Sequence, residues 1–170
     1  MFFLKALGAV LIAASSVGMG LVVSHRLTQR LCALETALRF FRALRQELSY
    51  SMAPPPELLR ALAARPEYAG ADYLGSALER IKHGEAFPEA WRAAVEDTAL
   101  PLTGEDRMLI ARAGERLGTS DLESQLSCLS HDIEQIGLTL DEARPRQQER
   151  AKLARTLGGL CGAFFVILII

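Results

Sequence analysis

The sequence predicts an all-α protein, a bundle of about six helices between two terminal transmembrane helices. Three observations lead to this prediction. Alanine and leucine dominate the composition, and β-branched residues are scarce outside the chain ends, which favours helices over strands. Apolar residues recur at helical spacing along the middle of the chain. Each end of the chain carries an apolar run that is almost free of charge.

Residues 1–24 form the first predicted element, an N-terminal transmembrane helix. Lys5 is the only charged side chain between Phe2 and Val23, and about 20 apolar residues are enough to cross the hydrocarbon core of a bilayer. A cleaved signal peptide is the alternative, because the stretch Ala13-Ala14-Ser15-Ser16 resembles a small-residue cleavage site. The apolar character continues past this stretch to Val23, which favours an uncleaved anchor.

The predicted bundle covers residues 25–152 and begins with an amphipathic helix that continues from the first anchor. Three consecutive prolines, Pro54-Pro55-Pro56, end this helix because proline cannot continue it. Its apolar face consists of Leu31, Leu34, Leu38, Phe41, Leu44 and Leu48. Short helices are predicted over residues 57–64 and 71–82, and Gly84 ends the second.

Turn and capping signals predict the next two helices. One begins near Phe87 and carries Trp91, the only tryptophan, which we assign to the core rather than to a ligand platform. The next begins at Thr103, an N-cap candidate followed three residues later by Asp106. Gly118 ends it and opens a short connection to the last helix.

The last predicted helix begins at Ser120, where Ser120 and Glu123 have the spacing of a capping box. Its apolar stripe consists of Leu122, Leu126, Leu129, Ile133, Ile136 and Leu140. This stripe predicts internal core rather than a docking seam. Pro145 predicts a kink before the helix reaches the basic residues that follow.

Residues 153–170 form the second predicted anchor, a C-terminal transmembrane helix with no charge after Arg155. The segment is short, so partial insertion is the alternative to a full span. Gly158 and Gly162 form a Gly-x-x-x-Gly pair, a spacing that allows close packing of membrane helices. Ordinary membrane-helix composition explains the same pair equally well.

Basic residues flank both anchors on the side of the bundle. Arg26 and Arg30 follow the first anchor, and Arg150, Lys152 and Arg155 precede the second. Positively charged flanks favour the cytoplasmic side of a membrane. The sequence therefore predicts a two-pass protein of the cell membrane with the bundle in the cytoplasm and both termini on the opposite side.

No catalytic, cofactor-binding or metal site is predicted, and we expect the chain not to be an enzyme. The three histidines are isolated, and the three cysteines have no metal-ligand spacing and no CxxC pair. The chain has 19 basic and 20 acidic residues, so no basic field indicates nucleic acid. Arg39, Arg42 and Arg45 form either a partner surface or an ordinary solvated helix face.

Several short stretches, taken in order, are similar to one family. They are Leu4-Lys5-Ala6-Leu7-Gly8-Ala9, Gln46-Glu47-Leu48-Ser49-Tyr50, Phe87-Pro88-Glu89-Ala90-Trp91, Gly114-Glu115-Arg116-Leu117-Gly118-Thr119-Ser120-Asp121, and the apolar end from Leu157. Together they resemble the stage III sporulation protein AB family of endospore-forming bacteria. That family is similar to the helical cytoplasmic domain of the platform proteins of type II secretion and type IV pilus systems.

The resemblance implies an assembly-platform subunit of the secretion-like complex that links mother cell and forespore. It implies a secretion-type cytoplasmic ATPase and other membrane proteins of the sporulation complex as partners. Platform proteins carry two such domains and this chain carries one, so self-association is expected to supply the second copy. The alternative is a small membrane-anchored regulatory scaffold that binds a soluble signalling partner.

Overall fold

The computed structural model describes residues 25–51 and 53–145 in full, and residues 2–24 and 146–169 only as parts of helices. These residues form six α-helices and one short 3-10 helix, and no strand occurs among them. The helices are α1 (Phe2–Tyr50), α2 (Pro55–Ala63), α3 (Asp72–Lys82), α4 (Phe87–Glu96), α5 (Gly104–Glu115) and α6 (Leu122–Ile169), with the 3-10 helix at Pro66–Tyr68. The predicted all-α class and the number of helices are confirmed.

The chain divides into two units. One unit comprises the two ends, Met1–Thr28 and Ala143–Ile170, and the other is Gln29–Glu142, called the bundle below. Within the fully described ranges, no helical segment is long and apolar enough to cross a bilayer. The transmembrane helices predicted over residues 1–24 and 153–170 lie outside those ranges. They stay predictions, as do the predicted domain boundaries.

Turn and capping residues determine the helix ends much as the sequence predicts. Gly84 and Gly118 follow α3 and α5 with φ angles of 92° and 78°, the left-handed region that glycine adopts without a steric penalty. Thr103 caps α5 by a reciprocal pair of hydrogen bonds. The Asp106 amide donates to the Thr103 hydroxyl at 3.2 Å, and the Thr103 amide donates to the Asp106 carboxylate at 2.9 Å.

The start of α6 differs from the prediction. Asp121, not Ser120, precedes the helix, and the Ser124 amide donates to the Asp121 carboxylate at 3.0 Å. A carboxylate placed three residues before an amide caps the helix as well as a serine does. Leu122 is then the first helical residue and is 43% exposed, so it does not belong to the buried stripe. The helix continues through Pro145, and the predicted kink there stays a prediction.

The core of the bundle lies along the apolar faces of α1 and α6 and beneath the short helices. Every residue of the apolar face predicted on α1 is buried. On α6, the buried residues of the predicted stripe are Leu129, Ile133, Ile136 and Leu140. The prediction of internal core is therefore confirmed for the α1 face and for these four residues of α6. It is wrong for Leu122, which is exposed, and Leu126 is only partly buried.

Candidate interaction surface

Trp91 occupies the centre of an aromatic cluster that joins α1, α3 and α4. Its side chain is 1% exposed, which confirms its assignment to the core. Its indole Nε1 donates a hydrogen bond to the Ile110 carbonyl on α5 at 3.1 Å. The ring centroids within 6.3 Å of the indole belong to Phe40, Phe41, Tyr73 and Phe87. Aromatic contacts of this kind stabilise a core beyond the area they bury.

Gly114 on α5 allows the indole of Trp91 to lie directly against the helix backbone. A Cβ atom at this position would lie 2.2 Å from both Cε2 and Nε1 of the ring. Only glycine, whose side chain is a hydrogen atom, fits in that space. Its small size lets α4 and α5 approach each other closely at this point.

A partly buried ion pair connects α1 to α5. Arg30 donates from Nε and Nη2 to the two carboxylate oxygens of Asp106, at 2.7 and 2.9 Å. The Asp106 side chain has no exposed surface. Burial by itself would raise the pKa of its carboxyl, but the hydrogen bonds from Arg30 and Thr103 outweigh burial and hold that pKa below its ordinary value. The same carboxylate therefore caps α5 and holds α1 against it.

A second charge is buried on α6. Asp132 is 1% exposed, and neither of its oxygens accepts a hydrogen bond among the described residues. The Arg112 guanidinium on α5 lies 3.3 Å from Oδ1. Attraction to Arg112 is therefore the main compensation for the removal of this carboxylate from water.

An open groove of about 740 Å³ runs between α1 and α6 within the bundle. We call it the α1–α6 groove. Its residues on α1 are Arg42, Arg45, Gln46, Ser49 and Tyr50, and those on α6 are Glu123, Leu126, Ser127, Ser130 and Ile133. Arg45 donates to the Ser130 hydroxyl across the groove at 3.1 Å. Two of the three arginines that the sequence suggests as a partner surface thus line the groove, and Arg39 is exposed outside it.

A second depression, of about 580 Å³, lies between α4 and α5. Arg92 donates to both carboxylate oxygens of Glu115, at 2.6 and 2.7 Å. Arg107 donates to the backbone carbonyls of Glu96 and Thr98. Met108, which is well exposed, contributes apolar surface. Because each of its arginines already contacts a carboxylate or a backbone carbonyl, this depression offers less to an acidic partner than the α1–α6 groove does.

The residues most often used for chemistry are not brought together in the described part of the chain. His25, His83 and His131 are exposed, and no group of three histidine, cysteine or acidic residues is placed to hold a metal ion there. Gly158 and Gly162, the predicted membrane-packing pair, lie outside the fully described residues. Their packing role stays a prediction.

The comparisons with known proteins identify one family. A family model described as stage III sporulation protein AB matches residues 5–170, almost the whole chain. No curated protein and no solved structure matches the chain. The match confirms the resemblance drawn from the short sequence stretches.

Proposed function

The chain belongs to the stage III sporulation protein AB family, and from that premise we propose that it is an assembly-platform subunit of a sporulation complex. In this role the chain does no chemistry. It holds a helical bundle at the membrane, where the bundle binds a secretion-type cytoplasmic ATPase and other membrane proteins of the complex. The observation that carries the proposal is the family match over residues 5–170, which includes both apolar ends and the bundle.

The construction of the bundle supports a binding role. A platform must keep its shape while partners attach, and the bundle is held by interactions between distant parts of the chain. Arg30 and Asp106 are 76 residues apart, and Trp91 bonds to a carbonyl 19 residues away. Fully satisfied buried polar groups of this kind favour one packing arrangement over others.

The membrane location is part of the proposal and rests on the sequence. Apolar runs end the chain on both sides, and basic residues flank them next to the bundle. We therefore place the bundle in the mother-cell cytoplasm and both termini across the cell membrane. Protease treatment of intact spheroplasts tests this orientation, because a bundle that is digested from outside contradicts it.

Affinity purification of the tagged full-length chain from the sporulating host tests the platform role. After in-cell crosslinking, the proposal expects co-purification of the ATPase and of further membrane components. Recovery of a soluble signalling protein without an ATPase supports a regulatory scaffold instead. A two-tag experiment in the same cells tests self-association, because recovery of one tagged copy with the other requires it.

A further inference from the structure

We propose that the α1–α6 groove binds an acidic segment of a partner protein. The carboxylates of this segment pair with Arg42 and Arg45, and one of its apolar side chains packs on Leu126. The inference rests on the proposed function for one point only, that the partner is a protein of the same assembly.

The charges on the α1 side of the groove lack acidic partners within the bundle. Arg42 is exposed and makes no ion pair with any residue that the structure describes in full, and Arg45 bonds only to a serine hydroxyl. By contrast, Arg30, Arg65, Arg80, Arg92 and Arg112 each pair with a carboxylate. A planar guanidinium matches a carboxylate with two parallel hydrogen bonds, so two guanidiniums without a carboxylate partner favour an acidic ligand.

The other residues that line the groove favour a protein segment over a small anion as the ligand. Tyr50 is 87% exposed at the end of α1, and tyrosine and arginine are among the residues enriched at the energetic centres of protein interfaces. Leu126, which is partly exposed, supplies apolar surface, while Ser49 and Ser127 supply hydroxyls. Apolar surface flanked by polar groups is the pattern that accepts an amphipathic helix in a groove.

Glu123 on α6 restricts how an acidic segment can be oriented in the groove. Glu123 lines the groove on the α6 side, so its negative charge repels an acidic residue that approaches from that side. A bound segment therefore turns its acidic face toward α1. An anionic bilayer surface fits less well, because recognition of anionic lipid takes clusters of about 4–8 basic residues, whereas two arginines and one glutamate line this groove.

Site-specific photo-crosslinking tests the proposal in the full-length chain. A photo-reactive amino acid replaces Ser49, which is exposed and lines the groove, and the crosslinked peptides from sporulating cells are sequenced by mass spectrometry. We expect a peptide of another protein that carries at least two acidic residues. The double variant Arg42→Glu/Arg45→Glu should reduce the crosslink about tenfold or more, because it replaces attraction by repulsion. Arginine at the mapped acidic positions of the partner should restore it.

Two further variants separate charge from folding. Arg42→Gln/Arg45→Gln removes the charge without repulsion and should reduce the crosslink less than the glutamate pair does. Arg60→Glu/Arg116→Glu changes two exposed arginines outside the groove and should leave the crosslink unchanged. An equal loss in this control variant would assign the effect to net charge and overturn the proposal.

The proposal is also overturned by a crosslink to lipid, to a second copy of this chain, or to a segment without acidic residues, and by no crosslink at all. These outcomes are independent of the test of the platform role. If purification of the wild-type chain recovers no ATPase, the platform role fails. An acidic crosslinked segment from a different protein would then still support the groove.

Discussion

Replacing Gly114 with alanine is expected to destabilise the bundle by about 2 kcal/mol, although alanine is the better helix former. The new Cβ would lie 2.2 Å from two atoms of the Trp91 ring, whereas ordinary contact begins at 3.4 Å. The ring must therefore move by more than an ångström inside a closed aromatic cluster. Overpacking of this kind costs about 1–3 kcal/mol of stability. We take the upper value because the distance from the new Cβ to the ring is far below an ordinary contact.

Two other contributions set the net value. Alanine in place of glycine within a helix contributes about 1 kcal/mol of stability, which reduces a cost of about 3 kcal/mol to about 2 kcal/mol. If the ring also loses its hydrogen bond to the Ile110 carbonyl, about 1 kcal/mol of stability is lost in addition. For a unit the size of the bundle, 2 kcal/mol corresponds to a fall in Tm of about 8 °C.

Urea unfolding of the full-length chain measures this prediction. The fluorescence of Trp91, the only tryptophan, reports on the cluster, and far-UV circular dichroism reports on the helices. Gly75→Ala on α3 is the matched control, because a Cβ there meets nothing within 4 Å. The control should gain up to about 1 kcal/mol of stability.

The reasoning is refuted if Gly114→Ala is as stable as the wild type or shows the same gain as Gly75→Ala. A double variant gives a further check. In a Trp91→Leu background the smaller side chain vacates the space beside α5, so Gly114→Ala should cost less than about 0.5 kcal/mol there. Circular dichroism measures this pair, since the fluorophore is absent.

Three further predictions concern buried charges and one turn. Asp106→Asn should cost about 2–4 kcal/mol at neutral pH in urea unfolding, because Arg30 loses its carboxylate partner. The folded pKa of Asp106 is lowered, so its contribution is complete above the unfolded pKa of about 3.9 and is lost as the pH falls through the folded value. Arg112→Ala should cost about 1–2 kcal/mol because it leaves Asp132 buried and uncompensated, but less than about 0.5 kcal/mol in an Asp132→Leu background. Gly118→Ala should cost about 1–2 kcal/mol in the same assay, because alanine is strained at a φ of 78°.

Each of these predictions has a matched control. Glu105→Gln removes an exposed carboxylate beside Asp106. This variant should still lose stability as the pH falls, as the wild type does, whereas the stability of Asp106→Asn should depend much less on acidic pH. Arg116→Ala removes an exposed arginine with no carboxylate within ion-pair distance among the described residues. Gly70→Ala changes a loop glycine with open space around it and without a positive φ. Costs that equal those of the controls would contradict the corresponding predictions.

The helices were predictable from the sequence because their signals are local. Prolines and glycines end helices through the backbone angles that they require or allow, and the apolar stripes follow the helical period. The one misplaced cap shows the limit of such signals. Ser120 and Asp121 are adjacent and both are good caps, so only the actual path of the backbone decides that Asp121 accepts the bond.

The groove and the buried charges were only partly predictable. The exposure of Arg42 and Arg45 follows from the helical period of α1, but the wall that faces them comes from α6, about 80 residues later. One signal for Asp132 was present in the sequence: it lies three residues after Leu129 and four before Ile136, on the side of the apolar stripe. A charge at such a position indicates a buried ion pair, but its partner is not visible in the sequence.

The sequence by itself determined the all-α class, most helix ends and most of the buried faces, because each depends on neighbours within one or two helical turns. The tertiary structure alone decided that Gly114 must lack a side chain, that Arg30 pairs with Asp106, and that α1 and α6 form a groove. These features join residues that are far apart in the chain. Their identity depends on how whole helices pack, and helix packing is the sum of many weak contacts rather than the property of any one stretch.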